Sequence, residues 1–136
     1  FIWRCRILLP MGFGRGRGFG GLGRFLPDLL LVLIAEKPSY GYELAERLRE
    51  AGIKIYGLGQ MGAIYRYLAF LEQSGFVMTS WDTATAGPAR KIYRITPLGE
   101  EYLHEVAARF QEFRELLDTF LEKYKHYMDS RDSRGS

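Results

Sequence analysis

The sequence has few of the residues that build disulfides, metal sites and membrane spans. Cys5 is its only cysteine, so no disulfide can form within the chain and a reducing compartment is expected. No apolar run reaches the roughly 18 residues of a membrane-spanning helix. His104 and His126 lie far apart, without the cysteine or carboxylate spacing of a metal site. We therefore expect a soluble cytoplasmic protein without a membrane partner.

Enzymes are the class of protein that these absences argue against most strongly. No histidine or acidic residue is arranged around Cys5 in a way that would activate a nucleophile. No glycine-rich loop leads from a strand into a helix with a phosphate-binding lysine. We expect neither a catalytic site nor a cofactor.

Acidic residues are missing from residues 1–25, which hold five arginines. Residues 97–136 instead hold nine acidic and six basic residues, so the formal net charge of +3 originates at the front of the chain. This asymmetry predicts an anionic partner on the N-terminal side.

Glycine dominates residues 11–24, where it alternates with arginine and phenylalanine. Ordering so much glycine costs more entropy than so few apolar groups offset, so residues 1–25 are predicted to form a flexible arm. Such an arm suits phosphates, a DNA minor groove or RNA, and a solvated tail without a partner is the alternative. Residues 1–10 fit nothing downstream, and Met11 is expected to be the natural start.

Three helices are predicted before the strand-rich part of the chain. Residues 26–36 are almost entirely apolar after their proline, which favours a buried helix. A second helix is predicted from about Gly41 to Ala51. Its inner face is expected to hold Tyr42, Leu44, Ala45 and Leu48. Ile53 and Ile55 are predicted to form a short strand before a turn at residues 57–59.

The third predicted helix, residues 59–75, is the one around which we interpret the chain. Ile64, Leu68 and Leu71 recur at steps of four and three and mark its inner face. Its outward face is expected to present Gln60, Ala63, Tyr65 and Arg66. A short, lightly charged helix of this kind fits the DNA major groove, about 12 Å wide. An ordinary amphipathic core helix is the alternative.

Two strands are predicted next, at residues 76–82 and 89–95, joined by a loop of small residues. Three helices followed by a hairpin are the order of a winged helix-turn-helix. The hairpin, or wing, carries Arg90, Lys91 and Arg94. The predicted fold is mainly α with a small β-hairpin: a winged helix-turn-helix domain at residues 26–96 and a long C-terminal dimerisation helix.

The C-terminal helix is predicted over residues 97–128, with Thr96 as its N-cap and a disordered tail at 129–136. Its apolar residues are spaced alternately by three and four, as in a coiled coil, so a second copy of the chain is expected to cover them. The predicted dimerisation residues are Leu103, Val106, Phe110, Phe113, Leu117, Phe120 and Tyr124.

Three segments together resemble the PadR-like transcriptional regulators: SYGYELAERL (39–48), GAIYRYLAFLEQSGFV (62–77) and WDTATAGPARKIYRITPLG (81–99). The resemblance runs from about residue 27 to 125. It implies a homodimeric repressor that binds palindromic operators in double-stranded DNA. It further implies release from DNA by a small, often aromatic or phenolic, effector.

The resemblance also implies which residues contact DNA. Tyr40 and Tyr42 are expected near the backbone, and Arg90 and Lys91 on the wing. The groove-facing end of the third helix is expected to hold Gln60, Met61, Gly62, Ala63, Tyr65 and Arg66. Ala63 stands where the family commonly has a hydroxyl residue, and Met61 where proline is common.

Other functions stay open at this stage. Trp81, Phe110 and Phe113 are candidate walls of an effector pocket, although the two phenylalanines also suit an ordinary dimer core. A winged-helix adaptor that binds a protein is an alternative to DNA binding, because the third helix is nearly neutral. RNA binding through the Gly/Arg arm is another.

Overall fold

The computed structural model describes residues 23–83 and 87–135. The arm predicted at residues 1–25 lies outside this part except for its last three residues, and so does the middle of the predicted loop at 83–88. Within the described residues the chain forms four α-helices and three strands. The helices are α1 (Leu26–Glu36), α2 (Gly41–Glu50), α3 (Gly57–Gln73) and α4 (Pro97–Gly135). The strands are β1 (Ser39–Tyr40), β2 (Val77–Asp82) and β3 (Arg90–Ile95).

The core lies among α1, α2 and α3, whose apolar faces pack together. Leucine and isoleucine recur along α1, and leucines spaced by four define the inner face of α2, as the sequence predicts. The fully buried side chains include Leu30, Leu31, Ile34, Leu44, Leu48, Ile64, Tyr67, Leu68 and Leu71. Burial of this apolar surface is the main force that holds the three helices together.

The wing is part of a three-stranded antiparallel sheet with the order β1-β3-β2. The predicted hairpin is confirmed: Val77 pairs with Ile95, and Asp82 pairs with Arg90 at the other end. The third strand, β1, pairs Tyr40 with Ile92. This strand is not predicted from the sequence, because two residues carry no periodic signal and their pairing depends on tertiary contact.

Two local predictions around α2 and α3 are wrong. Ile53 and Ile55 do not form a strand, since they lie in an irregular segment in which Ile55 is buried. Tyr42 is 47% exposed and does not belong to the inner face of α2. It follows the cap by only two residues, and its ring stacks on Tyr40 instead of entering the core.

The first turn of α3 begins at Gly57, two residues before the predicted start. Gly57 has a φ of 73°, a backbone angle that other residues rarely adopt. The predicted turn at residues 57–59 is therefore helical from its first residue. This change places Leu58 in the first turn of α3.

Helix α4 begins as predicted, because the Gly99 backbone N–H donates to Thr96 Oγ1 at 3.0 Å. It continues to Gly135, so the prediction of a disordered tail is wrong for residues 129–135. Polar residues there suggested disorder, but none is proline, and extending an existing helix costs far less than starting one.

The chain divides into two compact units, one extending to Leu103 and the other beginning at His104. In the first unit, the Tyr102 hydroxyl donates to Asp28 Oδ1 at 2.7 Å, and the Tyr102 ring stacks on Phe76 with centroids 4.3 Å apart. These contacts attach the start of α4 to α1 and to the entry of β2. Within residues 23–83 and 87–135, no helix has the length and apolar character needed to span a bilayer.

Candidate nucleic-acid interface

The outward face of α3 is a stripe of residues spaced by four and three, namely Leu58, Gly62, Tyr65 and Ala69, with Arg66 beside it. Leu58 is 90% exposed, and Tyr65 and Arg66 are also exposed. No charged residue occurs from Ile55 to Tyr65. The face is therefore smooth and neutral, with a single cation at its middle.

Arg66 leans back along α3 over Gly62. A Cβ built on Gly62 would lie 3.6 Å from the Arg66 guanidinium nitrogen Nη1. This direction agrees with the tilt of helical side chains toward the N-terminus. No ion pair to Arg66 occurs within the described part of the chain. Its planar donor group is thus presented toward the N-terminal half of α3.

Gln60 is tied to the backbone at the start of α3. Its amide oxygen accepts a hydrogen bond from the Tyr56 backbone N–H, one of the donors that a helix start leaves unsatisfied. One lone pair of the oxygen is therefore used, and the two N–H donors of the amide have no partner among the hydrogen bonds of α3. It can contact a base as a donor, but bidentate pairing with adenine would require the oxygen as well.

Ala63 does not lie on the outward face. It is completely buried, so the prediction that it faces a groove is wrong. One position on a helix turns by about 100°, and Ala63 lies next to Ile64 on the core side of α3. The small methyl group gave no hydropathy signal strong enough to show this. Met61 is half-buried at the edge of the stripe.

Tyrosines at the start of α2 hold the first arginine of the wing. The Tyr40 and Tyr42 rings are stacked with centroids 5.8 Å apart. The Arg90 guanidinium lies over both rings, 5.7 Å and 5.3 Å from their centroids, and donates to the Tyr42 hydroxyl at 2.7 Å. These contacts use part of the guanidinium's donor set and fix the position of the rest.

Asp82 completes this cluster at the end of β2. The Tyr40 hydroxyl donates to its carboxylate, and this hydrogen bond raises the pKa of Tyr40 above its ordinary value. Asp82 also pairs with Arg90 in the sheet register. The tip of the wing is thereby connected to the N-terminus of α2.

Lys91 connects the wing to α3. Its ammonium group donates to Glu72 Oε1 at 3.0 Å, and the Thr79 hydroxyl donates to Glu72 Oε2 at 2.8 Å. The two hydrogen bonds hold the pKa of Glu72 below its usual range, and the Glu72 carboxylate raises the pKa of Lys91. Part of the Lys91 charge is therefore compensated within the fold.

A recess of about 410 Å³ lies between the wing and the starts of α2 and α3. Its walls are mostly aromatic and cationic: Tyr40, Tyr42, Tyr65, Trp81, Tyr93, Arg90 and Lys91. Gly41 forms part of the wall, and a Cβ there would lie 2.6 Å from the Tyr65 ring. Trp81 thus lines a recess whose walls include most of the predicted DNA-contacting tyrosines and wing cations. The effector pocket formed by Trp81, Phe110 and Phe113 stays a prediction.

The predicted dimerisation residues differ in exposure. Val106 is buried in the single chain, which removes it from the surface that a second copy would use, and Phe110 is half-buried. The residues that follow along α4 are exposed: Phe113, Leu116, Leu117, Phe120, Leu121, Tyr124 and Tyr127. The apolar surface of the second unit is concentrated in this stretch.

Comparison with known proteins gives one consistent family. The sequence matches the transcriptional regulator PadR-like family over residues 30–105. An uncharacterized protein of Lysinibacillus sphaericus is 31% identical over 97 residues, which are 71% of this chain and 88% of that protein.

Solved structures agree with this match. A crystal structure described as a conserved protein of unknown function, a potential transcriptional factor, is 52% identical and has a TM-score of 0.69. The match covers 84% of this chain and 97% of that one. A PadR-like transcriptional regulator from Bacillus cereus is 27% identical with a TM-score of 0.64, covering 74% and 94% of the two chains.

These matches confirm the winged helix-turn-helix fold and the resemblance seen in the sequence. They make the protein a regulator of transcription and not an enzyme. The chain belongs to the PadR-like family of DNA-binding transcriptional regulators.

Proposed function

We propose that this regulator is a homodimeric repressor that inserts α3 into the major groove of a palindromic operator in the cytoplasm. The observation that carries the proposal is the neutral outward stripe of α3 with Arg66 at its middle. Such a surface suits contact with base edges. A surface that bound mainly phosphates would instead be expected to carry several cations.

Arg66 is the residue that we assign to base recognition. Arginine binds the O6 and N7 acceptors of guanine through two parallel donors, and such a pair contributes about 1–3 kcal/mol of discrimination against other bases. The absence of an ion pair within the described residues supports this role, since a guanidinium held by a carboxylate would first have to be released.

The wing supplies contacts with the phosphate backbone. Arg90 keeps most of its donors after bonding Tyr42, and the Tyr42 hydroxyl, which accepts that bond, keeps its own proton to donate. Lys91 is a weaker candidate than the sequence suggested, because Glu72 already pairs with it. Contacts of this type position the protein on DNA without reading its sequence.

A second copy is proposed to cover the exposed apolar stretch of α4. Phe120 is 64% exposed in the single chain, and the apolar residues around it follow a coiled-coil spacing. A contiguous exposed patch of this kind marks an interaction surface. Two copies would present two α3 helices to half-sites about one helical turn, or a multiple of it, apart.

Release by a small effector belongs to the proposal on the strength of the family resemblance. The aromatic residues Phe110 and Phe113 remain its candidate contacts on α4, and Trp81 its candidate contact on the wing. A ligand in the recess beside Trp81 would displace DNA directly, because Arg90 and Tyr42 line the same recess.

Fluorescence anisotropy on DNA from upstream of the protein's own gene tests the proposal. We expect binding that survives nonspecific competitor DNA and weakens with salt. Arg66→Ala should reduce affinity by at least about 10-fold, because each protomer of the dimer loses a bidentate base contact. Arg131→Ala near the end of α4 removes the same charge and should leave affinity unchanged.

Three outcomes would contradict the proposal. Binding that disappears with competitor and ignores Arg66 would remove α3 from the recognition surface. Salt-independent capture of a protein bait without any DNA shift would favour the adaptor alternative. Loss of all binding on deletion of residues 11–24 would favour the alternative in which the Gly/Arg arm binds nucleic acid.

A further inference from the structure

Leu58 is the most exposed large apolar side chain of the described residues, at 90%. It lies in the first turn of α3, between Gly57 and Gly59, and a Cβ built on either glycine would meet nothing within 4 Å. The leucine therefore stands alone at the tip of the helix. In water this arrangement is unfavourable, and no contact within the described fold compensates for it.

Leu58 lies on the same face of α3 as the guanidinium of Arg66. Leu58 and Gly62 are four residues apart and share one face of α3, and Arg66 lies over Gly62. Besides the Tyr65 ring, which lies against Gly41, the large side chains that project from this face are an aliphatic group and a guanidinium. Because Gly62 has no side chain, nothing projects between the leucine and the guanidinium. Both groups can therefore contact the same face of a bound molecule.

We propose that Leu58 recognises the 5-methyl group of a thymine in the operator. The inference rests on the proposed function, because it requires α3 to lie in the major groove. Residues at the N-terminal end of a recognition helix contact base edges. Thymine is the base that presents an apolar group there, and aliphatic side chains bind it by contact.

The spacing along α3 predicts where this thymine lies. Leu58 and Gly62 are separated by about 6 Å along the helix axis, at 1.5 Å per residue. The Arg66 guanidinium is near Gly62, so it reads a base about 6 Å from the one that Leu58 contacts. With base pairs about 3.4 Å apart, the thymine lies about two base pairs from the guanine.

Replacing thymine by uracil tests this contact without changing base pairing. A duplex would be selected from a random library by the full-length wild-type chain, and each thymine near the preferred guanine would be replaced by uracil in turn. Replacement at one equivalent position in either half-site should lower affinity about fourfold, the effect of removing one buried methyl group. The other replacements should have little effect.

Three variants assign the methyl contact to a side chain. In Leu58→Ala the sensitive position should lose its preference for thymine over uracil. Val32→Ala removes exposed aliphatic surface on α1 and should keep the fourfold preference. Met61→Ala, at the edge of the same stripe, should also keep it. Thermal denaturation would check that the variants remain folded.

The outcomes separate the failure of this inference from that of the proposed function. A selected duplex without any uracil-sensitive position overturns the role of Leu58 but leaves α3 as the reading helix. Thymine preference that persists in Leu58→Ala, or that disappears only in Met61→Ala, also overturns it. Failure to enrich any sequence overturns both.

Discussion

At the scale of a residue, Gly99 occupies a position with no room for a side chain. A Cβ built there would lie 2.2 Å from the Phe76 carbonyl oxygen and 2.8 Å from Ile95. The first of these atoms belongs to the backbone, which cannot rotate away. Glycine at this position lets the first turn of α4 contact the entry of β2 and the end of β3.

Gly99→Ala is therefore expected to destabilise the domain by about 1–3 kcal/mol, the usual cost of forcing extra volume into a packed site. Gly59→Ala is a matched control, because nothing lies within 4 Å of its Cβ and its backbone is helical. The control should leave stability unchanged or raise it by up to about 1 kcal/mol. Denaturant unfolding of both variants measures the difference, and equal stability would contradict the packing account.

The residues of the candidate site were predictable from sequence to different degrees. Arg66 and Arg90 follow from the helix and wing pattern, and the structure brings both to exposed positions. Ala63 was expected to face a groove and is buried, whereas Leu58 was expected in a turn and is exposed on α3. A shift of one position rotates a helical residue by about 100°, so a small error in phase changes its environment completely.

At the scale of elements, the wing is attached to the helical core at two points. The first residue of β3 contacts α2 through Arg90 and the tyrosine pair, and the next residue contacts α3 through Lys91 and Glu72. The sequence predicted the strands but treated both cations as groups that face DNA. Partners in other elements, separated from them along the chain by 19 residues or more, are not visible in a local pattern.

The Lys91–Glu72 pair predicts how stability depends on pH. Glu72 has a pKa below its ordinary 4.5, so ionised Glu72 stabilises the fold above that value and the contribution is lost as pH falls through the lowered pKa. Lys91 has a pKa above its ordinary 10.5, so its contribution is present below that value and is lost at higher pH. The pair contributes from about pH 4.5 to 10.5.

Glu72→Gln should lower the free energy of unfolding at pH 7 by up to about 1 kcal/mol, because both partners are 36% exposed and solvent screens them. The difference from wild type should vanish well below pH 4.5, where Glu72 is protonated in both states. Thermal melts across pH measure this. A difference that stays constant in acid would show that packing, and not charge, is responsible.

Arg90 gives a prediction for DNA binding that differs from that for Arg66. Arg90→Ala should weaken specific and nonspecific duplexes by a similar factor and reduce the salt slope by about 1.8, as expected for one lost phosphate contact in each protomer of the dimer. Anisotropy at several salt concentrations measures both quantities. A loss confined to the specific duplex would instead place Arg90 at a base edge.

The limits of α3 and α4 show why element ends were harder to predict than elements. Gly57 was predicted to be a turn residue, yet it is the first residue of α3 and has a positive φ. The polar end of α4 was interpreted as a tail, yet it continues as helix to Gly135. Composition indicates preference only, and helix extension depends on the turn already formed.

At the scale of the whole molecule, the exposed apolar stretch of α4 predicts self-association. Phe120→Asp should raise the dimer dissociation constant by at least about tenfold, because an unpaired carboxylate is costly to bury. Sedimentation equilibrium measures this, and Gln111→Asp adds the same charge to an exposed position outside the stripe. An unchanged dissociation constant for Phe120→Asp would contradict the proposed interface.

The most direct test of the central claim is methylation interference on a duplex that the protein selects. Dimethyl sulfate methylates guanine N7, which lies in the major groove and is one of the two acceptors assigned to Arg66. We predict that methylation of one guanine in each half-site blocks wild-type binding, and that Arg66→Ala is insensitive to it. Binding that tolerates methylation at every guanine, or interference that persists in Arg66→Ala, would contradict recognition of DNA by this face of α3.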